Sequence, residues 1–209
     1  MKREDTQEAE FLEEPKRSLF REILSYVWII AFAAAVATLV NRFVLINAVI
    51  PSESMENLLH VDDRVFGFRF AYLFEEPERY DVVMFQYPVD EEKTYIKRII
   101  GLPGETVEIK NAEIYIDGSK TPIEENYLPE KWTDDNDGFF FEVPEDCYLM
   151  LGDNRNISED ARKWAQCAVD DGAAANLEEG QKYTYVHKDQ IIGRAVLKYF
   201  PKMHLFLNF

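Results

Sequence analysis

The hydrophobic pattern divides the chain into a charged N-terminal stretch, one long apolar run and a body of short, mostly alternating segments. Residues 23–40 are 18 consecutive uncharged residues, interrupted only by the polar side chains of Ser25 and Thr38. As a helix this run is roughly 27 Å long, close to the hydrocarbon thickness of about 30 Å. It exceeds the apolar part of a cleaved signal peptide, which has roughly 7–15 residues. The pattern predicts a membrane-spanning helix at residues 23–42 behind a charged tail at 1–22; a cleaved signal peptide and a buried soluble helix are the alternatives.

The body of the chain has the pattern of an antiparallel β domain. Short runs rich in aromatic and β-branched residues alternate with turn residues. Strands are predicted at residues 64–70, 80–87, 94–101, 106–110, 113–117, 147–151 and 191–200. The fourth and fifth of these alternate strictly around Asn111-Ala112, which predicts a hairpin. No helix is predicted after residue 60. Residues 118–138 are interpreted as an insert or cap, and residues 166–184 as a surface loop.

Basic residues near the apolar run predict its orientation. Lys16, Arg17 and Arg21 precede it, whereas Arg42 is the one basic residue within about twenty positions after it. The positive-inside rule then predicts a cytoplasmic N-terminus, a single membrane pass and an extracytoplasmic body at residues 43–209.

Composition excludes some classes of function. The 209 residues include 39 acidic and 23 basic side chains, a net charge of −16, which repels phosphate backbones and excludes nucleic acid as a partner. Cys147 and Cys167 have no zinc-binding spacing; Cys147 is interpreted as a small apolar residue, with a disulfide between the two as the alternative. The acidic stretch at 133–138 fails the EF-hand register, because Pro144 falls at the last ligand position, and it is interpreted as a solvated turn. We expect neither a metal nor another cofactor.

Candidate chemistry begins with one lysine. Lys97 lies in an otherwise apolar, β-branched strand, where desolvation disfavours the ammonium form and lowers the pKa of the amine. A neutral amine is a general base, and a serine is the usual nucleophile that it activates. Ser54, in Pro51-Ser-Glu-Ser-Met55, is the candidate partner. His60, with Asp62 and Asp63 beside it, keeps a Ser–His–Asp site open as a weaker alternative, since sequence closeness is poor support for a triad.

A third segment, Leu151-Gly-Asp-Asn-Arg-Asn-Ile-Ser-Glu-Asp-Ala-Arg162, leaves a predicted strand and concentrates charged and polar side chains in a turn. A polar surface loop is the simple interpretation. The spacing of Asp160 and Arg162 also allows a bond that stiffens a site wall, and Ser158 could orient a buried amine.

Taken in order, these segments resemble the motifs of bacterial type I signal peptidases. The resemblance is carried by Pro51-Ser-Glu-Ser-Met55, Asp63-Arg-Val65, Tyr95-Ile-Lys-Arg-Ile-Ile-Gly-Leu-Pro-Gly-Glu105 and Gly152-Asp-Asn-Arg-Asn-Ile-Ser-Glu-Asp-Ala-Arg162. It covers the chain from the anchor to Pro201, and the single-anchor layout is similar to Gram-positive members. The chain departs from the family at Glu56-Asn57, where Pro-Thr is usual, and at Ala161, where serine is common.

The resemblance implies a membrane-anchored serine endopeptidase with an antiparallel β catalytic domain and a small β cap inserted near residues 106–143. It implies Ser54 as nucleophile, Lys97 as general base, and an oxyanion hole from the Ser54 N–H and the Ser52 hydroxyl. Supporting roles fall to Ser158, which would position the lysine, and to Asp153, Asp160 and Arg162 beside the site.

The implied partners are exported preproteins with Ala-x-Ala cleavage sites, membrane lipid and the secretion machinery. A Ser–Lys self-cleaving regulator and a non-enzymatic anchored β domain that binds a partner are the rival functions.

Overall fold

The computed structural model describes residues 19–133 and 137–206, and it divides into two compact units, Met1–Val40 and Asn41–Phe209. Most of the predicted charged tail, including Lys16 and Arg17, lies outside the described residues, as does the middle of the acidic stretch at 133–138.

The N-terminal element is a long apolar helix, α1, over Leu19–Phe43. It contains the predicted span at residues 23–42, and none of its side chains is buried. Within the described ranges it is the one helix long and apolar enough to cross a membrane.

The second unit is mostly β, as the sequence predicted. Its strands are β1 (Leu45–Val49), β2 (Arg64–Phe68), β3 (Val82–Tyr87), β4 (Asp90–Gly101), β5 (Thr106–Lys110), β6 (Glu113–Ile116), β7 (Phe139–Glu142), β8 (Cys147–Leu151), β9 (Val186–His187), β10 (Ile191–Phe200) and β11 (His204–Leu205). The large sheet has the order β1-β2-β10-β3-β4-β8-β9, with β11 against β10, and every pair is antiparallel. The sheet therefore contains strands from both the start and the end of this unit, and β3 and β4 lie between them.

A second, three-stranded sheet has the order β6-β5-β7 and lies within the region predicted as a cap. The predicted hairpin of β5 and β6 is confirmed, with Lys110 paired to Glu113. Asn111 and Ala112 both have positive φ, 55° and 59°, as the tight turns that fit the strand twist require.

The prediction of no helix beyond residue 60 is wrong. Helix α2 covers Ala161–Asp170 and the single-turn helix α3 covers Leu177–Gly180, so the predicted loop at 166–184 is partly helical. Asp160 caps α2 by accepting a hydrogen bond from the Arg162 N–H. The buried face of α2 is made largely of alanine around Trp164, a pattern too weakly apolar to stand out among polar neighbours.

Two hydrophobic clusters form the core. The first packs β3, β4 and β8 against Trp164 of α2 and against the second sheet. The second contains Ile46, Ile50, Met55, Leu59 and Met84 and lies beneath the segment between β1 and β2. Both cysteines are free thiols, so the disulfide alternative is not realised in the structure.

Candidate active site

Ser54 lies in the segment that connects β1 to β2, within a short 3₁₀ turn at Glu53–Met55. The segment is closed at its base by a hydrogen bond of 2.9 Å from Ile50 N to Asp63 O. Met55 and Leu59, both fully buried, attach its middle to the second core cluster. Because its base and its middle are both held, the segment presents Ser54 in one defined position.

Lys97 reaches this serine from the large sheet. It lies in β4, paired opposite Val83 of β3. Its Nζ lies 2.6 Å from Ser54 Oγ, and the two residues are only 4% and 8% exposed. An amine and a hydroxyl at this distance can exchange a proton directly.

The surroundings favour the neutral form of the amine. Burial lowers the pKa of Lys97 to about 8, because desolvation disfavours the ammonium ion. The carboxylates of Asp160, Glu159 and Asp153 oppose this shift, and the Arg162 guanidinium adds to it. The result is a lysine whose base form is well populated near pH 8.

A second hydroxyl lies beside the pair. Ser52 Oγ lies 3.4 Å from Ser54 Oγ, at the edge of hydrogen-bonding range. Ser52 is itself exposed, so its hydroxyl can turn toward a group that approaches Ser54 from solvent.

The loop after β8 packs directly on the backbone of Ser54. Asn154 N donates a hydrogen bond of 3.1 Å to Ser54 O. A side chain at Gly152 would collide with Ser158 Oγ and would come within 2.5 Å of Ser54 O. Only glycine permits this approach, so the loop and the serine segment are fitted to each other.

Asp160 and Arg162 form the interior of this loop. The Asp160 carboxylate accepts from Arg162 Nε at 2.8 Å, from Arg162 Nη2 at 2.7 Å and from Gly152 N at 3.1 Å. Arg162 Nη2 also donates to Arg155 O at 2.8 Å. Burial alone would raise the pKa of Asp160, but the bonds from Arg162 and Gly152 hold it below its ordinary value. The pair is fully buried and cross-links the two ends of the loop.

Asp153 joins the same loop to β4 through Arg98. Arg98 Nε and Nη2 donate to the two oxygens of Asp153 at 2.8 and 2.6 Å, and Arg98 Nη1 donates to Tyr80 O at 2.9 Å. Arg98 directly follows Lys97 in β4. This bidentate ion pair therefore holds the strand that contains Lys97 against the loop. Sequence reasoning assigned no role to Arg98, although a second basic residue in an apolar strand was a signal that it needed a buried acidic partner.

Ser158 is close to the pair in the fold but is not connected to it by a hydrogen bond. Its side chain is fully buried, and its Oγ has no hydrogen-bond partner among the described residues. The structure therefore contains no bond from Ser158 to the Lys97 amine of the kind that the resemblance implied. The hydroxyl packs against Gly152, next to Ser54 O.

His60 is the candidate base of the rival triad. Its side chain is 53% exposed, and its ring nitrogens lie 3.8 Å from Glu56 and 3.8 Å from Asp63. In the described part of the chain no hydrogen bond joins His60 to Ser54, whose hydroxyl contacts Lys97 and Ser52 instead. The geometry therefore favours the lysine as the base.

The serine–lysine pair opens onto a groove of about 340 Å³. One wall is residues 48–54, the other is residues 94–97 of β4, and Met84, Ile157 and Glu159 complete the lining. The paired register of β4 with β8 begins at Arg98, so the stretch of β4 that lines the groove is a sheet edge without a β8 partner. The described residues contain no cluster of three or more His, Cys, Asp or Glu side chains that could hold a metal ion.

Comparison with known proteins identifies signal peptidases as relatives of this chain. The family model described as signal peptidase, peptidase S26, matches residues 23–200. A signal peptidase I from Leptolyngbya laminosa is 34% identical, with 82% of this chain and 77% of that protein covered. Signal peptidase I S from Bacillus subtilis strain 168 is 36% identical over 68% of this chain and 79% of its own.

Solved structures include a signal peptidase I from Enterococcus faecalis V583 that is 28% identical. It aligns with a TM-score of 0.42 and covers 57% of this chain and 97% of its own. The similarity to signal peptidases is therefore carried by the sequence matches.

Proposed function

This chain belongs to the signal peptidase family, peptidase S26, and on that premise we propose that Ser54 and Lys97 are its catalytic pair. The protein is a membrane-anchored serine endopeptidase that removes signal peptides from exported preproteins. The observation that carries the proposed roles is the contact of 2.6 Å between Lys97 Nζ and Ser54 Oγ, both of which belong to buried residues.

The contact supports a simple proton relay. Neutral Lys97 takes the proton of the Ser54 hydroxyl as Oγ attacks the scissile carbonyl carbon. The resulting ammonium gives that proton to the leaving amine as the peptide bond breaks, and an acyl-enzyme remains. Water then attacks the ester, with Lys97 again accepting and returning the proton, so the enzyme ends as it began.

The negative charge that develops on the carbonyl oxygen in the transition state has to be stabilised by hydrogen-bond donors. We assign this role to the Ser54 N–H and the Ser52 hydroxyl, supported by the position of Ser52 Oγ beside Ser54 Oγ. Donors that meet the oxyanion only in the transition state contribute about 2.7–4 kcal/mol each in measured cases. Ser158, Asp153, Asp160 and Arg162 keep the loop against Ser54 and are assigned positioning roles.

The groove is suited to an extended peptide. A substrate strand can pair with the free edge of β4 at residues 94–97, which brings its scissile bond to Ser54. In an extended peptide alternate side chains point the same way, so small residues at positions −1 and −3 can face the groove together. We therefore propose Ala-x-Ala preprotein sites as substrates, with the secretion machinery and membrane lipid as neighbours.

We also propose that the N-terminus is cytoplasmic and that residues 43–209 are extracytoplasmic. The distribution of Lys16, Arg17 and Arg21 against Arg42 supports this orientation.

Cleavage of an Ala-x-Ala preprotein by the purified, detergent-solubilised full chain tests the catalytic pair. Ser54→Ala and Lys97→Met should each lower kcat by at least about 10³-fold, because the nucleophile or its base is gone. Ser119→Ala and Lys110→Met, at exposed positions, are matched controls and should cleave at the wild-type rate. His60→Ala should also cleave normally.

Thermal unfolding of each variant shows whether an inactive protein is still folded or has lost activity because it is unfolded. A folded Ser54→Ala or Lys97→Met protein that retains turnover within tenfold of wild type would refute the assignment. Loss of turnover in His60→Ala with retention in Lys97→Met would transfer the base role to the histidine.

A further inference from the structure

We propose that Glu53 and Glu159 make the groove selective for substrate charge, disfavouring an acidic side chain next to the scissile bond and favouring a basic one. The inference rests on the proposed peptidase function and concerns the residues that flank the bond which that function cleaves.

The charges around the groove are unequal. Its lining contains two carboxylates, Glu53 and Glu159, and one basic side chain, that of Lys97. Lys97 is buried and directed at Ser54, so it is not available to offset a charge on a bound peptide. Both glutamates are exposed and face the solvent through which the peptide arrives.

Position in the chain keeps both carboxylates close to the chemistry. Glu53 immediately precedes Ser54 within the same 3₁₀ turn. Glu159 immediately precedes Asp160, whose carboxylate is fixed by Arg162 and Gly152. Each glutamate is therefore attached to backbone that the site itself holds in place.

Glu159 is also held by Tyr95, which belongs to a cluster of packed aromatic side chains. The Tyr95 hydroxyl donates to Glu159 Oε1 at 3.2 Å. The Tyr95 ring stacks on Tyr87 with centroids 4.2 Å apart and planes 3° from parallel, and Tyr87 packs edge-on against Trp164 at 5.6 Å. Burial raises the pKa of Tyr95, so its hydroxyl keeps the proton that it donates. A carboxylate held in this way loses little side-chain freedom when it meets a substrate cation.

The expected effect is modest because the carboxylates are solvated. An exposed ion pair changes an equilibrium by up to about fivefold. Two carboxylates acting together should change kcat/KM between a lysine and a glutamate substrate by roughly tenfold at low salt, and less as the Debye length falls below about 10 Å above 0.1 M salt.

The test compares matched preproteins that differ in one side chain. Two series carry Lys, Gln or Glu, one at the middle residue of Ala-x-Ala and one at the first residue after the cleaved bond. The purified full chain in neutral detergent should cleave at least one series in the order Lys, Gln, Glu. The Lys-to-Glu ratio of kcat/KM should be roughly tenfold and should fall with added salt.

The variant Glu53→Gln with Glu159→Gln should reduce that ratio to near one. A control that removes two carboxylates from the second sheet, Glu108→Gln with Glu113→Gln, should keep the wild-type ratio. The ratio is the diagnostic readout, because the effect of Glu159 on the Lys97 amine alters the rates for all substrates alike.

The outcomes distinguish a failure of the proposed charge selection from a failure of the proposed peptidase function. If the Gln substrates are cleaved by the wild type and not by Ser54→Ala, the peptidase function stands. Equal kcat/KM for Lys and Glu substrates in both series, or a ratio that survives in the groove variant, would then overturn charge selection alone. If no Gln substrate is cleaved, both proposals fall.

Discussion

At the scale of single residues, burial determines the charge of Lys97. The folded pKa lies below that of a solvated lysine, so the neutral base is present in the folded protein at pH values where an exposed lysine is still charged. The general base is then lost by protonation as the pH falls through about 8. Activity that depends on the neutral amine should accordingly rise with pH across this range.

The setting of Lys97 in an apolar strand, where a charged amine is costly, made it and Ser54 candidates from the sequence, and the family resemblance implied their roles. Their approach to 2.6 Å depends on a segment and a strand that are 43 positions apart, which only the fold supplies. Ser158 was assigned a bond to the amine from the family resemblance, and the structure leaves its hydroxyl without that bond. The partners of Arg98 were not predicted, because no local pattern pairs β4 with the loop after β8.

At the scale of elements, the long helix α1 and most of the longer strands were predicted, whereas strands β1 and β7 and helices α2 and α3 were not. Alternation revealed β5 and β6, and residues 191–200 were predicted as the strand that β10 forms. The two-residue strands β9 and β11 are too short to show a period. Helix α2 was missed because its buried face is mainly alanine, and its N-cap, Asp160, had been interpreted as part of the site wall.

The Arg98–Asp153 pair makes a prediction about how β4 is attached to the loop after β8. Arg98→Met should destabilise the protein by about 3–5 kcal/mol, because it leaves the fully buried Asp153 carboxylate without its partner. Thermal or denaturant unfolding of the full chain in detergent measures this. Lys93→Met breaks the exposed pair with Asp90 in the same strand and should leave stability unchanged within error. Equal, small effects of the two substitutions would contradict a structural role for the buried pair.

At the scale of the whole molecule, the sequence predicted a long apolar helix followed by a mostly β body, and both are present. A continuous apolar run and a strict two-residue alternation are local patterns, so they can be recognised without knowledge of tertiary contacts. The order of the large sheet was not predictable, since β10 pairs with β2 and β3 from more than a hundred positions away.

The orientation of the chain in the membrane is testable with tags. In intact cells stripped of their wall, a C-terminal tag should be digested by added protease and an N-terminal tag should be protected, because Lys16, Arg17 and Arg21 retain the tail inside. Both tags should be digested once the membrane is permeabilised. An N-terminal tag that is digested while the C-terminal tag is protected would reverse the proposed topology.

The pH dependence of kcat/KM for one Ala-x-Ala preprotein tests the account most directly, because it reports the pKa of the essential base in the free enzyme. With the full chain in detergent, kcat/KM should rise about tenfold per pH unit in the acidic range and level off above a midpoint near the Lys97 pKa of about 8. The same midpoint should be found in His60→Ala. A midpoint near 6.5 that vanishes in His60→Ala would contradict the account and make the histidine the base.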